Sequence, residues 1–195
     1  VSPLLSPLKY LSIRHGWWLR YNVVCPTIGA VLVATVVYAT PGVNPVFGKE
    51  GFLKGLEPTL AIVGGFFIAA LTLVTTDKSE ILKAPVGGNS PPRLDGEVLS
   101  RRRFLAYLFG YLSFAAFALI GLSVIAGLLE PLVLSWKIAR FAKAANCLAA
   151  GLVGGWLTQA MIATLLGLYY FTERLQISDR RVQFGPSRDA PPDRG

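Results

Sequence analysis

Catalysis needs a nucleophile beside a base, a pair of carboxylates, or a set of metal ligands, and this chain of 195 residues offers few of them. Its only histidine, His15, stands beside Gly16, Trp17 and Trp18. An imidazole can sense pH near neutrality, but a single one among interfacial indoles reads as plain surface. The two cysteines, Cys25 and Cys147, have no CxxC spacing and no nearby histidine, so no thiol metal site is expected. Gly64-Gly65 and Gly87-Gly88 lack the lysine of a phosphate-binding loop. Serines and threonines are scattered without an adjacent base. The chain is therefore expected to be non-enzymatic, with no catalytic residue, no metal and no cofactor. Two polar features remain. One is the amide of Gln159, inside an otherwise apolar run. The other is a set of arginines: Arg93, Arg101, Arg102, Arg103, Arg174, Arg180 and Arg181.

The elements that must position these groups are four long uncharged stretches. They place membrane spans at about residues 21–41, 58–76, 104–129 and 145–172. A helix of roughly 20 apolar residues crosses a bilayer. A chain that is 53% hydrophobic, with a mean hydropathy of +0.52, has nothing left for a soluble core. The fold expected is all-α: a polytopic membrane domain over 21–175, preceded by an interfacial segment, 1–20, and followed by a tail, 176–195. The tail ends in GPSRDAPPDRG, which has no means of packing. Residues 1–20 lack the clean apolar core of a signal peptide. They read as a short amphipathic stretch anchored by Trp17 and Trp18.

The net charge of +8 is unevenly distributed. Fourteen of the nineteen basic residues fall in 1–20, in the loop 77–103 or after Thr172. Basic segments stay in the cytoplasm, so both termini and the loop 77–103 are expected there, and the bilayer is the first partner. This topology puts Cys25 and Cys147 on opposite sides of a core about 30 Å thick, too far apart for a disulfide.

Local patterns refine the picture. The first span is rich in valine, but a lone segment in lipid must satisfy its own backbone and becomes a helix. Glu57 and Pro58 suit the start of the second span, with a turn expected over Phe52–Leu56. The middle of the loop 77–103 reads as irregular, and Gly96–Phe104 as the start of the third helix. Tyr107, Tyr111 and Phe114 share a face of that helix, a packing stripe or the lining of a site. The segment around Trp136–Lys143 is a short interfacial helix or an extension of the fourth span. The fourth span carries Gly151, Gly154 and Gly155, a smooth face for close helix contact, with Gln159 one turn further on. In hydrocarbon that amide seeks a partner, either a group of the same chain or its own copy about an oligomer axis.

In layout the chain resembles the small membrane subunit of the bacterial Kiwa antiphage defence system: about this length, four spans, both termini inside, no enzymatic motif. The segment LLGLYYFTERL (165–175) resembles the end of many small bacterial four-span proteins. The resemblance is one of topology along the whole chain. It supplies no residue-level motif, so no functional residue is carried over. It implies a multimeric sensor in the bacterial inner membrane that holds a soluble, DNA-directed partner, so that nucleic acid is met only through that partner. Three readings follow. The first is a homo-oligomeric scaffold or sensor recruiting a soluble cytoplasmic protein. Its docking surface is expected over residues 93–103 and the Arg174–Arg181 region, where basic residues alternate with Leu94, Asp95, Glu97 and Leu99. The second is a pore-forming or depolarising effector, and the third an accessory subunit of a transporter or membrane enzyme complex. The topology makes a direct prediction: a cysteine placed at Asn89 reacts with an impermeant maleimide only after the cell is permeabilised, whereas labelling in intact spheroplasts reverses the orientation.

Overall fold

The computed structural model describes residues 3–13, 20–39, 51–86, 91–94, 96–135 and 139–170. The described chain is a bundle of helices with one minimal hairpin. A 3₁₀ segment, Pro3–Ser12, comes first. One π-turn, Arg20–Val24, leads into α1, Cys25–Ala39. Then follow α2, Phe52–Thr76, and the single turn α3, Glu80–Lys83. Strands β1, Arg93–Leu94, and β2, Glu97–Val98, precede α4, Arg101–Ser135, and α5, Ala139–Tyr169. Four helical stretches are long and apolar enough to span a membrane: Arg20–Ala39, Phe52–Thr76, Arg101–Leu128 and Asn146–Tyr169. The chain therefore has the character of a multi-pass membrane protein.

The helices pair as α1 along α5 and α2 along α4, with α4 and α5 meeting between the pairs. Small residues make the first pairing close. A Cβ on Gly151 would meet the Ala30 carbonyl at 3.2 Å, and one on Gly154 would meet Val33 at 2.6 Å. A Cβ on Gly155 would meet Pro26 and Ala30 at 3.1 Å, and Gly29 faces Thr158. The numbers rise along α1 as they fall along α5, so the pair is antiparallel. In the second pairing Gly64 faces Ala116 and Phe117. Away from these seams the helices turn apolar side chains outward, among them Ile28, Leu32, Ile62, Phe66, Leu152 and Met161. In a bilayer that surface is ordinary. Thr27, Thr35 and Thr72 return their hydroxyls to the carbonyl four residues back, at 2.7, 2.8 and 3.0 Å, which satisfies them without a neighbour.

Several boundaries differ from the sequence reading. Helix α2 begins at Phe52, so Pro58 sits inside it instead of in its first turn. Lys54 and Glu57 come into the helix with it. Their charges are met locally, since Lys54 Nζ lies 2.7 Å from Glu57 and the Ser123 hydroxyl donates to the same carboxylate at 2.7 Å. The third helix runs on to Ser135, and the fourth begins at Ala139, so the Arg140–Lys143 stretch extends the fourth span. The middle of the loop 77–103 was expected to be irregular, yet the described residues of the loop include a short helical turn and a minimal hairpin. Gly96, at φ 87°, makes the left-handed turn between β1 and β2. Leu99 N–H donates to the Pro92 carbonyl, Val86 N–H to Leu99 and Arg101 N–H to Ala84, each at 3.1 Å. Helix α4 consequently starts at Arg101, not at Gly96.

Over the described residues 3–13 the N-terminal segment docks on α4. In a 3₁₀ helix residues three apart eclipse, which puts Pro7, Tyr10 and Ile13 on one line. Tyr10 and Ile13 are buried and Pro7 is half-buried, whereas Lys9 and Ser12 are exposed. Trp17, Trp18 and His15 lie outside the described residues.

One end of the bundle thus gathers the N-terminal segment, the folded loop, the end of α2, the start of α4 and the end of α5. Tyr10, Ile13, Leu82, Val86, Leu94, Leu99 and Phe104 belong to one apolar cluster there. The Phe104 and Tyr170 rings lie 4.9 Å apart at the same end. A smaller cluster of Leu53, Leu119, Ala150 and Val153 fills the opposite end. The α1–α5 seam makes a prediction. Gly154→Ala drives a methyl into Val33 and lowers the thermal midpoint, an overpacking cost of about 1–3 kcal/mol. Gly65→Ala, where nothing lies within 4 Å, leaves the midpoint unchanged or raises it. Equal midpoints for the two variants would show that the seam is not tight.

Candidate functional site

The polar centre of the bundle is built around Gln159. At about 1.5 Å per residue it stands about 15 Å of helix from Tyr169 and about 20 Å from Asn146, deep in the span. Its amide is bonded through both its oxygen and its nitrogen inside one chain. The Tyr111 hydroxyl donates to Gln159 Oε1 at 2.8 Å, and Gln159 Nε2 donates to Asn22 Oδ1 at 3.2 Å. The Trp156 indole N–H donates to the Tyr111 oxygen at 3.2 Å, completing a chain of four side chains from α1's entry turn, α4 and α5. Tyr10 stacks on Tyr111, centroids 5.1 Å apart with planes 22° from parallel. Burial, reinforced by Tyr111 and Tyr170, pushes the Tyr10 hydroxyl above its ordinary range and keeps it neutral.

Of the two kinds of partner considered for Gln159, the structure supplies those of its own chain, Tyr111 and Asn22. Gly151, Gly154 and Gly155 likewise face α1 of the same molecule, so the close helix contact expected of this face is made within the chain. Tyr111, one of two readings of an aromatic stripe, is the hub of the cluster. Asn22 is a partner of Gln159, because α1 begins beside the middle of α5. A polar residue that opens an apolar span was the available signal. Thr158 donates to the Gly154 carbonyl and Thr164 to the Ala160 carbonyl, each at 2.8 Å.

Among the described residues the arginines stand in different settings. Arg102 reaches across to the Thr75 carbonyl in the last turn of α2, where a cation suits the negative end of the helix dipole. Arg103 lies 4.0 Å from Glu97, an exposed pair of little energetic weight. Arg101 is half-buried and Arg93 exposed on β1. Arg174, Arg180 and Arg181 lie outside the described residues. Leu94 and Leu99, expected to alternate with the arginines on a docking face, are buried in the cluster beneath it. The exposed face that remains is charged: Lys78, Glu80, Lys83, Arg93, Glu97 and Arg103, with Val98 among them. No group of three metal-ligating side chains occurs among the described residues.

No family model, curated protein or solved structure matches the chain. Functional assignment therefore rests on the site. Gln159→Leu strips Tyr111 and Asn22 of their shared partner, so it destabilises the bundle by about 0.6–2 kcal/mol. In a double-mutant cycle with Asn22→Leu, unfolding in mixed micelles gives less than additive loss. Strict additivity would mean that the two amides do not interact.

Proposed function

We propose that the chain is a non-enzymatic membrane scaffold or sensor whose basic end docks a soluble partner. The observation that carries this reading is the fold of residues 77–103. A connector that merely joined two spans would not need a hairpin, a helical turn and a shared apolar core with the N-terminal segment. Such a cap holds its exposed charges in fixed positions, and prepaid ordering favours binding. The charge asymmetry favours the cytoplasmic side for that end, and the proposal takes the membrane to be a bacterial inner membrane. The likeness to the Kiwa membrane subunit adds the expectation of antiphage defence, with nucleic acid reached only through the partner. Homo-oligomerisation belongs to the same proposal. With the glycine seam occupied by α1, it would use outward faces such as those of Ile28, Leu32, Ile62 and Phe66.

The test reverses Arg93, Arg180 and Arg181 to glutamate together. Arg101, Arg102 and Arg103 are spared, because Arg102 holds the end of α2. The variant is expected to insert normally and to lose the soluble protein that copurifies with the wild type in mild detergent. Undiminished copurification, or a wild type that brings down no soluble protein, overturns the proposal.

A further inference from the structure

We propose that residues 3–13 act as a strap that couples the folded cap to the polar cluster in the middle of the membrane, through the stack of Tyr10 on Tyr111. This goes beyond docking and does not depend on what the cap binds.

The strap has little structure of its own. Ten residues is long for a 3₁₀ helix, whose hydrogen bonds are poorly aligned, and Pro7 lacks an N–H to contribute. Side-chain docking holds it in place. Ile13 and Tyr10 enter the same apolar cluster as Leu82, Val86, Leu94 and Leu99 of the cap, around Phe104, Leu105 and Leu108 of α4. Any displacement of the cap therefore alters the bed on which the strap lies. At its other contact the strap bears on Tyr111, whose hydroxyl holds Gln159 and receives Trp156. Nine residues beyond Ile13 the same arm of chain returns as Asn22 to close on Gln159. One arm thus brackets the cluster twice, by a ring on Tyr111 and by an amide on Gln159. The α1–α5 glycine seam is packed on residues of α1 and α5 and serves as the fixed frame.

Hydrogen–deuterium exchange of the full chain in lipid nanodiscs tests the coupling. Tyr10→Ala is expected to speed exchange in two separated regions, the cap at 80–100 and the entry turn Arg20–Val24, by roughly 2–10-fold, the worth of one stacked aromatic pair. The seam at Ala30–Ala34 and Gly151–Gly155 is expected to stay protected. Tyr10→Phe keeps the ring and is expected to match the wild type. Three results would each defeat the proposal. Faster exchange confined to residues 3–13, or to only one of the two regions, would mean that the strap transmits nothing. Loss of protection throughout, seam included, would make it an ordinary part of the core. A Tyr10→Phe variant that behaves like Tyr10→Ala would remove the stack as the link.

Discussion

A side-chain amide in hydrocarbon has no water to turn to, and Gln159 is placed where only protein can answer it. That requirement fixes the arrangement around it. Tyr111 must bring α4 to the Gln159 side of α5, and Asn22 must bring the start of α1 to the same depth. Once the amide is matched, the pairing of α1 with α5 and the approach of α4 are set in register as well as in contact. The net worth of each such bond is modest, but the alternative registers leave a polar group unmet, and that penalty is what makes the arrangement specific.

Close approach supplies what the polar cluster cannot. In lipid no hydrophobic effect drives helix against helix, so association depends on packing at short range. Gly29, Gly151, Gly154 and Gly155 let two backbones come near enough for this, and Gly64 does the same for α2 on α4. The two kinds of contact divide the bundle. Smooth seams hold each helix pair, and the polar chain, with the apolar clusters at either end, joins the pairs.

The basic end follows a third rule. There the chain leaves lipid, and water can again reward charges and punish exposed leucines. The loop 77–103 answers by turning Leu82, Leu94 and Leu99 inward and leaving its lysines, glutamates and Arg93 outside. Arg102 and Glu57 mark the two ends of the α2–α4 pair, each satisfied by a neighbour across it: one by the Thr75 carbonyl, the other by Ser123.

The sequence by itself determined the four spans, since twenty apolar residues in a row admit few other fates. It also determined the smoothness of the Gly151–Gly155 face and the isolation of Gln159. These are properties of composition and helical period, local to a segment. Only the tertiary structure decided who meets whom. Whether Gln159 faces Asn22, a lipid or another subunit depends on the relative rotation of helices far apart in the chain, and no local pattern encodes that angle. The start of α2 was misplaced for a related reason. Lys54 and Glu57 look like a loop until Ser123, from a distant helix, is seen to satisfy the carboxylate. The cap was hidden because its core is shared: Leu94 and Leu99 look like interface residues in sequence, and become interior ones only when Tyr10, Ile13 and Phe104 close over the same space.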